Sequence, residues 1–263
     1  MFSIAKRSIF LFLLVLGHLL AIKEAWAVAP REYYELRVYN LTSGEQQKMV
    51  EDYFQSAAIP AYNRMGIKTV GVFREMEASE NPKLFVVIPF SSLQQFEQVN
   101  ERLAKDAAYQ KAAAPYLQAL HTNPAYARIE SSLLHAFEDM AKLEVPAAKA
   151  QNKARIFELR TYESHSEHAG TKKVQMFNNQ GGEIKIFRRT GLTPVFFGES
   201  IIGGQRPNLT YMLTYPDMEA QKQAWKNFSG DPEWKRVSGL PEYANTVSNI
   251  TKVFLIPAPF SQI

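Results

Sequence analysis

Two short segments of the chain carry the same three side chains that could do chemistry. Each segment places a carboxylate, a guanidinium and a phenol two residues apart: Glu35, Arg37 and Tyr39 in the first, and Glu158, Arg160 and Tyr162 in the second. Because side chains alternate between the two faces of a β-strand, each set occupies one face. Two roles remain open for these residues: structural ion pairs that fix how two sheets meet, or a polar cavity whose arginines bind a ligand.

Histidines offer a second kind of chemistry. His135 lies in a predicted strand, either as a buried histidine with a satisfied hydrogen bond or as an acid–base group. His165 and His168 stand one helical turn apart, but a third metal ligand is not visible nearby, so we expect no metal site. The sequence also has no phosphate-binding glycine loop, no nucleophile elbow and no paired-carboxylate signature, so it predicts no cofactor.

The repeated segment belongs to a longer duplication. The offset is 123 residues at the two Glu-x-Arg-x-Tyr segments and 125 from Gly66 and Gly191 onward, where Asp106 also matches Asp231. Self-similarity over this length indicates that one structural unit occurs twice. We assign residues 28–138 to the first unit, 139–153 to a linker and 154–263 to the second unit.

Each unit follows the order strand, helix, strand, strand, helix, strand. This order is typical of the ferredoxin-like βαββαβ unit, whose sheet has helices on one face only. The other face must be buried, and two fused copies can bury both. We therefore predict an α+β fold, in which two tandem ferredoxin-like units form an intramolecular pseudo-dimer with a barrel-like core. The apolar sides of strands 33–39 and 155–162 are expected to meet the helices, and the charged sides to face the opposite sheet.

Several segments of the second unit resemble a known family. These are Glu-Ile-Lys-Ile-Phe at 183–187, Gly-Leu-Thr-Pro-Val-Phe-Phe-Gly at 191–198, Pro-Asn-Leu-Thr-Tyr-Met-Leu at 207–213, Asp-Pro-Glu-Trp-Lys at 231–235 and Phe-Ser-Gln-Ile at 260–263. They are similar to the second half of a NIPSNAP protein, and the resemblance extends over most of residues 32–263. It implies membership of the dimeric α/β-barrel superfamily. It brings no catalytic motif, and no active-site residue is carried over.

The first 27 residues have the pattern of an export signal. Lys6 and Arg7 precede an apolar run at 9–22, and Ala25-Trp26-Ala27 fits a signal-peptidase site. Fourteen apolar residues are too few to cross a bilayer, which needs about 20. We therefore predict a signal peptide at 1–27, a mature protein that begins at Val28 and has no stable membrane span, and a periplasmic or secreted location. The chain has no cysteine, so it has neither disulfides nor a lipid-modified cysteine.

Charge narrows the range of partners. The formal net charge is +4, and removing residues 1–27, with three basic residues and one acidic residue, leaves +2. A charge this small without a basic cluster does not indicate nucleic-acid binding. We predict a binding module for an unknown small molecule or protein partner. A homo-oligomer of this module is compatible with the sequence. The alternative is a small-molecule enzyme of the dimeric α/β-barrel type, monooxygenase-like or haem-handling, an analogy of fold alone.

Overall fold

Strands and helices alternate in the predicted order in both repeats. A computed structural model describes residues 30–151, 153–178 and 181–263, and the predicted signal at 1–27 lies outside them. The strands in these ranges are β1 Tyr33–Asn40, β2 Gly71–Glu75, β3 Lys83–Phe90, β4 Arg128–Ala136, β5 Ile156–Glu163, β6 Thr193–Ile202, β7 Asn208–Tyr215 and β8 Asn249–Pro257.

Helices cover the outer side of these strands. They are α1 Gly44–Tyr53, α2 Ile59–Arg64, α3 Leu93–Lys105, α4 Ala107–Leu117, α5 Ala147–Ala150, α6 Glu167–Phe177, α7 Glu183–Thr190, α8 Met218–Gly230 and α9 Pro232–Ser238, with a π-helical turn at Phe54–Ala58 and a 3₁₀ turn at Pro241–Tyr243. Ser43 and Ser166 cap α1 and α6 by accepting a hydrogen bond from a backbone N–H of the first turn. No helix in the described ranges is both long and apolar enough to span a bilayer.

The strands form one closed barrel rather than two separate sheets. The order around the ring is β1-β3-β2-β8-β5-β7-β6-β4, and every neighbouring pair is antiparallel. Within each repeat the order is that of a ferredoxin-like sheet, and the β2–β8 and β4–β6 pairs join the repeats. Residues 31–263 are therefore one compact unit. The predicted pseudo-dimer of two ferredoxin-like units is confirmed.

The ring order fixes how the repeats are related. Four antiparallel steps separate β1 from β5, so these two strands run in the same direction on opposite walls of the barrel. The pseudo-twofold axis consequently runs along the barrel, and Asn40 and Glu163, the last residues of β1 and β5, lie at the same end. We call this end the mouth.

The end opposite the mouth is filled with apolar side chains. Residues of both repeats form one interior cluster there, including Tyr34, Phe73, Phe157, Phe196 and Ile263, all fully buried. Ile263 is held in place because Gln262 exchanges hydrogen bonds with Val70 of the segment before β2. The barrel is thus plugged at one end.

The prediction that the charged sides of β1 and β5 face the opposite sheet is wrong. Leu36 and Leu159 belong to the cluster inside the barrel, whereas Tyr39 and Tyr162 pack in the layers between the sheet and the helices. Glu35, Arg37, Glu158 and Arg160 share the helix-facing side, because side chains alternate along a strand. A closed interior has only strand side chains to satisfy a charge, while the helix layer supplies tyrosine, tryptophan and glutamine partners.

Candidate functional site

A cavity opens at the mouth of the barrel, inside the ring of strands. Its volume is about 690 Å³, and residues of both repeats line it. This volume falls within the range of roughly 300–1,000 Å³ that is typical of small-molecule sites. The cavity is a candidate binding site that the sequence did not reveal.

The deep part of the cavity is apolar. Leu36, Phe85 and Leu159 are at most 8% exposed, and Val38 and Val253 complete this surface. Below them lies the apolar plug that closes the barrel. Any molecule that enters from the mouth therefore meets an apolar floor.

One wall of the cavity carries a row of three threonines. Thr210, Thr161 and Thr251 are directly paired across the adjacent strands β7, β5 and β8, so their side chains stand side by side. The Oγ1 atoms of Thr161 and Thr210 lie 2.9 Å apart and form a hydrogen bond. We call these three residues the threonine row.

The opposite wall differs in chemistry. The equivalent row of the first repeat is Phe85, Val38 and Glu130, paired across β3, β1 and β4. Glu130 is exposed at the rim, where its Oε1 accepts a hydrogen bond from Asn40 Nδ2 at 2.8 Å. Lys83, also exposed, adds a positive charge on the same wall.

The turn between β6 and β7 lies across the mouth and lines the cavity there. Gly203 has a φ of 149°, and a Cβ atom there would stand 2.4 Å from Ser132 Oγ, so only glycine permits this approach. Asn208 Nδ2 donates to the carbonyl oxygens of Gly204 and Gln205, at 2.9 and 3.0 Å. This turn of the second repeat is thereby fixed against β4 of the first.

The first predicted set lies under the helices of the first repeat, outside the barrel. Arg37 donates from Nε and Nη2 to the two oxygens of Glu35, at 2.7 and 2.9 Å, and Ser131 Oγ donates to Glu35 Oε1 at 2.8 Å. Tyr116 donates to Tyr39 at 3.4 Å. Tyr62, fully buried nearby, has a hydroxyl without a hydrogen-bond partner in the described structure, and burial raises its pKa to about 12 although Arg37 opposes the rise.

The second predicted set occupies the equivalent place but is bonded differently. Glu158, fully buried, accepts hydrogen bonds from four side chains: Arg160 Nη1 at 2.7 Å, Trp225 Nε1 at 2.8 Å, Gln221 Nε2 at 3.1 Å and the Tyr215 hydroxyl at 3.2 Å. The Arg160 guanidinium lies 4.4 Å from the centre of the Trp225 ring. Tyr162 accepts from the Tyr211 hydroxyl at 2.8 Å. These bonds join β5 to α8 and β7.

A buried ion pair next to this set was not predicted. Lys173 Nζ lies 2.8 Å from Glu183 Oε2, and both side chains are at most 5% exposed. Lys173 is 4.5 Å from the centre of the Phe177 ring. Burial raises the pKa of Glu183, and Lys173 opposes that rise. Nothing in the sequence marks the pair, since lysine and glutamate on helices are ordinarily exposed.

His135 stands apart from both sets. It is half-buried near the plugged end of β4, and its ring stacks on Tyr33 with centroids 4.5 Å apart. Burial, followed by the charge of Arg31, lowers its pKa. The predicted candidates therefore occupy three separate places, and none of their side chains lines the mouth cavity. The described ranges contain no group of three or more His, Cys, Asp or Glu able to hold a metal.

This fold defines a class of protein. Two ferredoxin-like units closing one antiparallel barrel are the fused form of a dimeric α/β barrel. The NIPSNAP family model matches the chain twice, at residues 34–138 and 157–262. The chain belongs to the NIPSNAP family. The predicted resemblance is confirmed in both halves.

The solved structures of two candidate monooxygenases share the whole fold at low identity. A candidate monooxygenase from Lactobacillus acidophilus is 8% identical, with a TM-score of 0.58 over 86% of this chain and 94% of that one. Another, from Fusobacterium nucleatum, is 10% identical, with a TM-score of 0.55 over 87% and 93%. A NIPSNAP-like domain protein from Burkholderia xenovorans is 21% identical and covers 41% of this chain and 88% of its own, with a TM-score of 0.37. A search of curated proteins gave no match. At 8% and 10% identity, the likeness to the two candidate monooxygenases shows the fold alone.

Proposed function

We propose that this protein is an exported binding module that holds a small organic molecule in the mouth cavity. The observation that carries the proposal is a cavity of about 690 Å³ inside the closed barrel, with an apolar floor and a polar rim. Ligand sites in proteins usually combine a mostly apolar surface with a few placed polar groups. The cavity has this composition, and it exists only where both repeats are joined.

The lining favours binding over catalysis. General acid–base catalysis depends mostly on His, Asp, Glu, Lys, Tyr or Cys held against the reacting atoms, and a Ser or Thr hydroxyl, such as those that line this cavity, acts as a nucleophile only when an adjacent base activates it. The described residues that line the cavity include no His, Cys or Tyr, and Lys83 and Glu130 are exposed at its rim. The alternative of an enzyme like the candidate monooxygenases is supported only by fold.

Binding is tested with a cavity-filling variant and an uncharged dye. Val38→Trp places a large side chain in the cavity, and Leu120→Trp is the control because Leu120 is 69% exposed and does not line the cavity. We expect Nile red fluorescence to rise when the dye is added to the parent protein or to the control. The apparent affinity of Val38→Trp for the dye should be at least tenfold lower than that of the parent. Equal dye affinity in all three proteins would remove the cavity from consideration.

Export is supported by the sequence of residues 1–27. In the native host the mature protein should begin at Val28, because the small-x-small pattern ends at Ala27. N-terminal sequencing of the purified native protein decides this. Retention of residues 1–27 would contradict cleavage and would favour a membrane anchor over a cleaved signal.

A further inference from the structure

The two walls of the mouth cavity are equivalent in position and opposite in chemistry. Val38 of β1 and Thr161 of β5 are pseudo-twofold mates, as are Phe85 and Thr210, and Glu130 and Thr251; each trio is paired side by side in the same register. Val38 and Phe85 make the row of one wall apolar up to a charged rim, and Ser132 of β4, paired with Leu36, adds one hydroxyl deeper on that wall. The other presents three hydroxyl groups.

This difference depends on the tandem arrangement. A barrel made of two identical chains has the same row on both walls, since its twofold axis runs along the cavity. Fusion into one chain allows the walls to diverge, and here all three positions have done so. A ligand on the axis therefore meets two unlike surfaces.

The threonine row has hydrogen-bonding capacity left over. A hydroxyl group has one proton to donate and two lone pairs that accept. The bond between Thr161 and Thr210 uses one proton and one lone pair. One proton and several lone pairs of this couple are left for a ligand. The hydroxyl of Thr251, which lines the same wall, is available to the ligand as well.

Charge at the cavity does not select an ion. Lys83 and Glu130 carry opposite charges on one wall, and Glu130 is already bonded to Asn40. The residues of the second wall that line the cavity are neutral, with Asn208 in the position equivalent to Lys83, and Glu163 beside it at the mouth is already hydrogen-bonded by Asn249 Nδ2 at 2.9 Å. The surroundings favour an uncharged ligand.

We propose that the cavity selects an uncharged molecule with one apolar side and one side bearing hydroxyl or carbonyl oxygens, and that the threonine row is the specificity determinant. This rests on the proposed binding function. The apolar side lies against Val38 and Phe85, and the oxygen-bearing side hydrogen-bonds to Thr161, Thr210 and Thr251.

The test uses two probes of nearly the same shape, 2-naphthol and 2-methylnaphthalene, measured by equilibrium dialysis. The full chain should bind 2-naphthol about three- to tenfold more tightly, the advantage of one net hydrogen bond. The triple variant Thr161→Val, Thr210→Val, Thr251→Val removes every hydroxyl of the threonine row while keeping the shape of the side chains. It should lose the preference while its affinity for 2-methylnaphthalene stays within about twofold.

Two controls accompany this variant. The triple variant Thr161→Ser, Thr210→Ser, Thr251→Ser retains all three hydroxyls and should retain the preference. Thr193→Val makes the same substitution at an exposed position outside the cavity and should change neither affinity.

The failures are distinguishable. Equal binding of the two probes by the parent, or a preference that survives in the valine triple variant, overturns the ligand class and the role of the threonine row but leaves cavity binding intact. Binding of neither probe overturns the ligand class and counts against the proposed function as well.

Discussion

Arg37 and Arg160 occupy equivalent positions but differ in how many hydrogen bonds their partner carboxylate would keep if the arginine were removed. Arg37 supplies two of the three side-chain hydrogen bonds to Glu35, and Ser131 supplies the third. Arg160 supplies one of four to Glu158, so three neutral donors would still hold that carboxylate. The two sequence motifs are the same, but the loss of unfolding free energy on removing the arginine is expected to differ between them.

We therefore expect Arg37→Met to cost about 3–5 kcal/mol of unfolding free energy, the penalty of a buried charge without its partner. Arg160→Met should cost about 1–2 kcal/mol, for one hydrogen bond and the stacking on Trp225. Urea unfolding of both variants measures the difference. Equal costs would mean that the extra donors to Glu158 do not compensate for the arginine.

The Lys173–Glu183 pair has an apolar counterpart in the same molecule. Lys173 is seven residues past the capping Ser166, as Val50 is past Ser43, and Glu183 is eight residues before Gly191, as Ala58 is before Gly66. Val50 and Ala58 are fully buried. The fold therefore accepts apolar residues at both positions.

Replacing Glu183 alone by leucine should cost about 3–5 kcal/mol, because Lys173 would stay buried without its partner. The double variant Lys173→Met, Glu183→Leu should recover this loss and equal or exceed the stability of the parent. Lys48→Met, in an exposed ion pair with Asp52, is the control and should change stability by about 0.5 kcal/mol or less. A double variant as unstable as the single would show that the pair is required for the packing of this repeat.

At the scale of elements, the repeats differ where the helix after the first strand is interrupted. The first repeat passes from α1 to α2 through the π-helical turn Phe54–Ala58, just before Pro60, which lacks an N–H to donate. In the second repeat α6 ends at Phe177 and α7 begins at Glu183, after Gly182 with a φ of 71°. The two extra residues here account for the change of offset from 123 to 125. The structure accommodates Pro60 with this wider turn.

The β6–β7 turn makes the sharpest prediction at this scale. Gly203→Ala should cost about 1–3 kcal/mol, because its left-handed φ is strained for alanine and the new methyl group would overlap Ser132. Gly204→Ala is the matched control, since no atom lies within 4 Å of a Cβ built there. It should stay within about 0.5 kcal/mol of the parent. Thermal melts compare the two, and similar losses would contradict the close approach of Gly203 to β4.

For the whole molecule, the β2–β8 and β4–β6 pairs decide whether the repeats can exist apart. Separation exposes both edges of each four-stranded sheet and its apolar inner face, which are sites for association.

We expect residues 28–138 and 154–263, produced separately, to aggregate or self-associate. Produced together, they should form a one-to-one complex that binds Nile red, because the cavity needs both walls. Analytical ultracentrifugation and dye titration measure these outcomes. A stable, monomeric half with a native circular-dichroism spectrum would contradict the shared barrel.

The sequence alone determined the architecture because its signals are local and repeated. Alternation of side chains marks the strands, and the duplicated Glu-x-Arg-x-Tyr segments show that one unit occurs twice. A single ferredoxin-like sheet has one bare apolar face, so two copies imply burial of one against the other. These facts together predict a barrel-like core.

Only the tertiary structure decided which side of each strand faces inward. Both sides of β1 and β5 are buried, one by the opposite wall and one by helices, so alternation separates the charged from the apolar residues without saying which side lies inside. The mouth cavity was hidden for a related reason. Val38, Thr161, Phe85 and Thr210 are ordinary strand residues, and they line one space only because strands far apart in the sequence close into a ring.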